Sequence, residues 1–175
     1  NGNIWMAVDG VGLRKLDSEA HWLQNPRELN KRLETKYLTS VVCDRHNNLW
    51  IGTAGKGVYK INLQSLETRN YRLQSGGFGD DKANCLYEDK KGTIWAGTSG
   101  SGLFYFDEGR QHFEVLSEND KPVYITRTSY VSTVLEDSDG ILWVGTMYGL
   151  YKLVRNKNGS FDYKLYRQDL VVLLL

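Results

Sequence analysis

Asp89-Lys-Lys-Gly-Thr-Ile-Trp95-Ala-Gly-Thr-Ser-Gly-Ser-Gly-Leu-Phe104 is not unique within its own chain. Upstream the same text reads Asp44-Arg-His-Asn-Asn-Leu-Trp50-Ile-Gly-Thr-Ala-Gly-Lys-Gly-Val-Tyr59. Downstream it reads Asp137-Ser-Asp-Gly-Ile-Leu-Trp143-Val-Gly-Thr-Met-Tyr-Gly-Leu-Tyr151, one residue shorter after the Gly-Thr. A partial first copy, Asn1-Gly-Asn-Ile-Trp5, has Ala7-Val8 where the others have Gly-Thr. The tryptophans Trp5, Trp50, Trp95 and Trp143 are therefore spaced by 45, 45 and 48 residues. Self-similarity at a period of roughly 20–50 residues marks a repeat architecture.

Each unit parses by alternation and turn residues. An apolar stretch comes first (38–43, 83–88, 131–136). A turn follows, opened by Asp44, Asp89 or Asp137, with Asn47, Gly92 or Gly140 three residues before the Trp. Asp bonds its own backbone two residues on, and Gly or Asn tolerates positive φ, so a tight hairpin is expected. The Trp strand ends near Gly-Thr, and Gly52, Gly97 and Gly145 are expected to let neighbouring backbones approach closely. The Thr hydroxyl is expected to bond a neighbouring unit. A third strand follows (58–61, 103–106, 150–153), then a more polar fourth (68–73, 112–116, 161–167). One such sheet has two apolar faces and cannot bury both alone, so like units must stack around an axis.

The sequence is thus read as all-β, a β-propeller of about four four-stranded blades, at 1–37, 38–82, 83–129 and 130–169. Residues 170–175 read as an extra innermost strand. Either the chain is an arc of a larger propeller, which Val171-Val172 favours by not matching the other innermost strands, or 170–175 docks on the first blade and closes a four-bladed ring. Between the first two blades a short helix is expected over 25–34. Asn25 would be its N-cap, Pro26 its first helical residue and Glu28 its capping-box partner.

Composition agrees and excludes some classes. The chain has 175 residues, with 18 Gly, 2 Pro, 11 Tyr and 5 Trp, a pattern of short strands and tight turns. The net charge of +1 gives no basic excess to hold a phosphate backbone, so nucleic acid is not an expected partner. Mean hydropathy is −0.47, and the longest apolar run, Leu170 to Leu175, is far short of the roughly 20 residues a membrane helix needs. No signal peptide opens the chain, and Asn1-Gly2-Asn3 reads as the middle of a turn, so a longer parent protein is expected. Cys43 and Cys85, 42 residues apart, are read as buried free thiols.

The in-register unit Asp-x-x-Gly-x-Ile/Leu-Trp-x-Gly-Thr resembles the two-component regulator propeller repeat over 44–59, 89–105 and 137–151, and partially over 1–16. The resemblance implies the extracytoplasmic, periplasmic sensor region of a membrane-bound bacterial hybrid histidine kinase, with ligand sensing, often of oligosaccharides. It also implies neighbouring propeller or sensor domains as partners and leaves room for a homodimer of the parent protein.

No catalytic residue, metal site or cofactor is read from the sequence. His21, His46 and His112 fall at non-equivalent places and read as surface histidines. Asp137-Ser-Asp-Gly140 resembles the start of a calcium loop but lacks the downstream Glu. Gly52-Thr-Ala-Gly-Lys-Gly57 has the wrong spacing for a phosphate loop. Glu88-Asp89 and Glu136-Asp137 are read as satisfying turn amides rather than as an acid–base pair.

Function must then lie in what differs between blades, the connections at 25–36, 75–82 and 117–129 and the turns sharing their face. The candidate ligand-binding residues are Phe78, Asp81, Lys82, Tyr124, Arg127 and Tyr130, with Tyr148 on a facing turn. Aromatic faces beside Arg and Asp suit a polar ring-shaped ligand such as a sugar. The leading reading is a non-enzymatic sensor that binds a small ligand. A protein-interaction scaffold and a propeller lyase are the alternatives.

Overall fold

The Asp that opens each copy organises the hairpin after it. In the computed structural model, which describes residues 3–19, 21–22, 26–73, 81–118, 121–122, 130–157 and 159–167, one Asp89 oxygen accepts from the Lys91 and Thr93 amides at 2.9 and 2.8 Å. The other accepts from the Trp95 indole N–H at 3.0 Å. Asp44 makes the same bonds to His46 N, Asn48 N and Trp50 Nε1, and Asp137 to Asp139 N, Ile141 N and Trp143 Nε1. The left-handed residues fall where the sequence puts them, at Asn47 (φ 59°), Gly92 (88°) and Gly140 (78°). The six-residue Asp-to-Trp spacing thus lets one carboxylate close the turn and satisfy the only polar atom of a buried indole.

The first unit contributes β1 (Ile4–Val8) and β2 (Gly12–Leu16), a two-stranded ribbon, then the helix α1 (Arg27–Lys31). The second forms β3 (Leu38–Cys43), β4 (Asn48–Thr53), β5 (Val58–Asn62) and β6 (Thr68–Tyr71). The third forms β7 (Ala83–Glu88), β8 (Ile94–Thr98), β9 (Leu103–Asp107) and β10 (His112–Val115). A small hairpin of β11 (Ser117–Glu118) and β12 (Lys121–Pro122) follows. The fourth forms β13 (Val131–Glu136), β14 (Leu142–Thr146), β15 (Gly149–Arg155) and β16 (Phe161–Tyr166). The last three units are four-stranded antiparallel meanders with strands in sequence order.

The sheets stack through their first strands, β1 against β3, β3 against β7 and β7 against β13, and no contact of similar extent joins the first sheet to the last. Among the described residues the architecture is an open arc of propeller blades. Each seam has an apolar layer. Trp50 is fully buried, 4.8 Å from Phe106 and 6.0 Å from Phe113 of the next blade, with Leu86, Ile94 and Ala96 in the same cluster. Trp95 packs the same way on Phe161, Val134 and Leu142. About 200 Å² of indole at about 25 cal/mol per Å² gives an upper bound of about 5 kcal/mol per tryptophan.

Polar stitches flank that layer. The Thr39 hydroxyl donates to the Ala83 carbonyl, and Asn84 Nδ2 to the Val131 carbonyl at 3.1 Å, each bond crossing to the next first strand. Gly52 and Gly97 make room here. A Cβ on Gly52 would sit 3.0 Å from the Ala83 carbonyl oxygen, and one on Gly97 2.5 Å from Val131 Cγ1. At the opposite rim the residue after the turn Asp reaches forward. Arg45 donates to Glu88 Oε1 at 2.7 Å and to the Asp89 carbonyl at 2.8 Å. Lys90 donates through its amide to Glu136 Oε2 at 2.6 Å and through Nζ to the Asp137 and Ser138 carbonyls at 2.6 and 2.9 Å.

Four expectations change. The repeat-equivalent threonines do not reach a neighbouring blade: Thr53, Thr98 and Thr146 donate to the Gly57, Gly102 and Gly149 carbonyls of their own turns at 2.7, 2.9 and 2.9 Å. Glu88 and Glu136 accept turn amides as expected, but those of the preceding blade's Arg45 and Lys90, at 3.3 and 2.6 Å, while only the Asp of each pair closes its own turn. Pro26 occupies the N-cap itself with no side-chain cap, and Glu28 pairs with Lys31 at 2.8 Å instead of closing a capping box; Asn25 lies outside the described residues. Cys43 is exposed and Cys85 half-buried, desolvation pushing the Cys85 thiol pKa up to about 11. Among the described residues the first unit contributes the ribbon β1–β2, with a bridge from Leu16 to Trp22 beside it. The 170–175 strand lies outside the described residues.

Candidate functional site

One rim of the arc carries the turns after the Trp strands together with the residues that lead into the first strands. Backbone bonds tie the two sets. The Ala54 amide donates to the Tyr37 carbonyl at 3.0 Å, Ser99 to Lys82 at 3.3 Å, and Met147 to Tyr130 at 3.1 Å. The threonine hydroxyls hold the turns from within by also accepting from the Lys56, Ser101 and Tyr148 amides at 2.9, 2.9 and 3.1 Å. Tyr37, Lys82 and Tyr130 are therefore repeat-equivalent, one per blade. All three side chains are exposed, Tyr37 at 62% and Tyr130 at 44%. Tyr148, on the turn bonded to Tyr130, is 44% exposed. The result is an aromatic–cationic–aromatic row across three successive blades, its backbone fixed by the same bonds at each step.

Of the sequence-based candidates, Lys82, Tyr130 and Tyr148 lie on this rim. Asp81 is beside it but already engaged: its carboxylate accepts from Arg72 Nη1 at 2.7 Å and from the Leu73 amide at 2.9 Å, and its carbonyl accepts from Gly57 N at 2.8 Å. It shapes the rim and offers little to a ligand. Phe78, Tyr124 and Arg127 lie outside the described residues. Tyr37 was missed by the sequence reading, which searched the long connections. Its signal was present, since Tyr37, Lys82 and Tyr130 each directly precede a recognisable first strand.

The histidines sit apart from the rim and from one another. His112 is bonded to Glu114 at 2.8 Å on an edge strand, and that bond and the Arg110 carbonyl raise its pKa. His21 faces Asp17 at 3.4 Å, mostly exposed. Asp137, the calcium-like position, has its carboxylate occupied by turn amides and Trp143, which hold it below the usual carboxylate range. Among the described residues no three His, Cys, Asp or Glu side chains gather into a metal-binding group.

Comparison with known proteins agrees with this architecture. The chain has the β-propeller fold of solved extracellular domains. Residues 77–100 and 127–148 match the family model described as two component regulator propeller, so the repeat read from the sequence is present. The extracellular domain of BT3049 from B. thetaiotaomicron, assigned as a hybrid two-component system, is 23% identical with a TM-score of 0.72, over 94% of this chain and 22% of that one. That of BT4673, assigned as a one-component system of the same organism, is 19% identical with a TM-score of 0.70, over 95% of this chain and 21% of that one. Virginiamycin B lyase from Staphylococcus aureus is 15% identical with a TM-score of 0.55, over 76% of this chain and 42% of that one. The chain spans about a fifth of the length of those two extracellular domains. No curated protein matches it.

Proposed function

We propose that these blades are part of a periplasmic, non-enzymatic ligand-sensing propeller in a membrane-bound two-component regulator. The match of two separate blades to the two-component regulator propeller repeat carries this reading, and the likeness to extracellular domains assigned to one-component and hybrid two-component systems supports it. The ligand is a carbohydrate, held at the rim by Tyr37, Tyr130 and Tyr148 as stacking faces and by Lys82 as a hydrogen-bond donor, with Phe78, Tyr124 and Arg127 as further candidates from the sequence. The signal passes to a histidine kinase outside this chain through altered packing against neighbouring propeller or sensor domains, or within a homodimer. Calorimetry of the complete sensor region against an oligosaccharide panel tests this. Binding of one glycan that falls at least tenfold, about 1.4 kcal/mol, in Lys82→Ala and Tyr130→Ala is the expected result. Heat from a protein partner and from no glycan retires it.

A further inference from the structure

The outermost strand of each four-stranded blade is paired on one side only, and these edges differ in length. β6 and β10 have four residues each, whereas β16 has six. The closing hairpin decides which backbone groups of β16 face outward. The Asn156 amide bonds the Ser160 carbonyl at 2.8 Å, and bonded pairs alternate along an antiparallel ladder. Asp162, Lys164 and Tyr166 therefore turn their N–H and C=O groups to β15. Phe161, Tyr163 and Leu165 turn theirs away from the sheet. Stacking a further blade on this sheet would not cover that row, because blades meet face to face and this is an edge. An open row of this kind is a template for another strand, and folded proteins blunt such edges with short strands and charges.

The two shorter edges use their charges at home. On β10, Glu114 is held by Arg110 and His112 of its own blade, both at 2.8 Å. On β6, Arg69 pairs with Glu67 at 2.9 Å, and the Asn70 side chain donates to the Lys56 carbonyl at 2.7 Å. On β16 the charges stay available. Asp162, Tyr163 and Lys164 are exposed, and Lys164 lies over the Tyr166 ring with Nζ 5.0 Å from its centroid. The edge is also complementary to itself. Two-fold antiparallel pairing of a strand with its own copy must centre on a residue, since a one-residue slip would join the inner face of one sheet to the outer face of the other. Centring on Asp162 sets that carboxylate against its own copy, and centring on Lys164 does the same with two ammonium groups. Centring on Tyr163 sets Asp162 opposite Lys164 of the second copy, twice by symmetry, and Phe161 opposite Leu165. It also brings the outward backbone groups of Phe161, Tyr163 and Leu165 into one ladder.

We propose that β16 is a dimerisation edge, which pairs antiparallel with β16 of a second copy of this chain about a two-fold axis at Tyr163, Asp162 and Lys164 setting the register. The edge gives the homodimer a surface and uses no residue of the ligand rim, so either reading can fail alone. Sedimentation of the full 175-residue chain in low salt, at concentrations up to about 1 mM, tests it. The parent chain is expected to dimerise reversibly. Asp162→Lys and Lys164→Asp each set like charges opposite one another at two places and should weaken association about tenfold or more. The double swap restores the opposed charges and should restore the parent affinity. All three variants should unfold at the parent temperature, since both side chains are exposed. Tyr163→Cys in a Cys43→Ser background should oxidise to a disulfide-linked dimer, because bonded residues across the axis lie about 5.5 Å apart, within a disulfide's reach. A chain that stays monomeric overturns the proposal, as does a double swap no better than the single changes. A dimer indifferent to every charge variant also overturns it and moves the contact to the open face of the fourth blade.

Discussion

Trp50 and Trp143 occupy the same position in the same module, carry the same bond to an Asp six residues back, and meet different surroundings. Around Trp50, Val58 is 0% and Tyr71 8% exposed, because the third blade covers them. Around Trp143, their counterparts Leu150 and Tyr166 are 40% and 41% exposed. The internal geometry survives the change: Tyr166 lies 6.0 Å from Trp143, much as Tyr71 lies 5.9 Å from Trp50. Local sequence therefore builds the blade, and the neighbour supplies most of what the blade's apolar face contributes to stability. The fourth blade is poor in seam devices too. Its counterpart of Arg45 and Lys90 is Ser138, too short to reach forward, and Ser132 turns its hydroxyl back to the Gly145 carbonyl at 3.1 Å.

Truncating the two tryptophans gives the largest expected difference. Trp50→Ala should cost about 3–5 kcal/mol, in the range for a fully buried aromatic, and Trp143→Ala markedly less. Guanidinium unfolding of both variants at pH 7 reads it. Equal losses would mean that the outer face of the fourth blade is as well covered as the seam, and the comparison would collapse.

The carboxylates beneath those rings come next. Asp44 is desolvated, which by itself raises its pKa, but bonds from Asn48, Trp50 and the turn amides outweigh burial and leave it lowered. Asp137 is lowered by its bonds to Trp143 and Ile141. A carboxyl held lower in the folded than in the unfolded chain stabilises fully above its unfolded value near 3.9, and that contribution disappears as pH falls through the folded value. Stability should therefore drop steeply below about pH 4. Asp44→Ala should cost about 2 kcal/mol at pH 7 and flatten that acid limb, with Asp137→Ala the milder of the two. Unfolding midpoints between pH 7 and pH 3 check both the order and the slope; an acid limb unchanged in Asp44→Ala contradicts the assignment.

How much of this could be read from the letters depended on repetition. Strands β3, β7 and β13 were legible to the residue, because three copies in register supply three independent readings of one alternation. Near its start each first strand carries a polar residue followed by a small one (Thr39-Ser40, Asn84-Cys85, Ser132-Thr133), and the structure gives the reason: Thr39 and Asn84 bond the next blade's backbone, and Ser40 accepts from the Leu86 amide at 3.0 Å. The reach of a hydroxyl was not legible, since Thr53 had acceptors on both sides and only the geometry of the turn selects Gly57. Nor was the Arg45-to-Glu88 link, which joins residues 43 positions apart and needs two blades already side by side. The ligand rim was half legible. Lys82, Tyr130 and Tyr148 were found as loop residues, and Tyr37 emerges only when the copies are aligned one residue upstream of their first strands.

Close approach offers a smaller, sharper contrast. A methyl on Gly97 would meet Val131 Cγ1 at 2.5 Å and Cys85 Sγ at 2.6 Å, so it presses on the neighbouring blade and on its own first strand. A methyl on Gly145 would meet Thr133 Cγ2 at 2.8 Å, within its own blade. Gly97→Ala should cost about 1–3 kcal/mol as overpacking, and Gly145→Ala less, because the exposed Thr133 side chain can turn away. Thermal unfolding of the pair decides it; a harmless Gly97→Ala would show that the seam can open without penalty.

The forward-reaching cations should matter least to stability, although they are the most visible difference between the turns. Arg45 is half exposed, and its pair with Glu88 is open to solvent on one side, so Coulomb attraction there is screened. Arg45→Ala and Lys90→Ala should each cost about 0.5–1 kcal/mol, partly recovered in 1 M salt, and Ser138→Ala nothing measurable. The bonds that Arg45 and Lys90 make to backbone carbonyls are less sensitive to salt than the carboxylate pairs. A loss that persists undiminished in high salt would therefore assign the effect to those carbonyls. The clasp would then act by fixing the relative tilt of two turns, a geometric role that Ser138 cannot perform on the open side of the fourth blade.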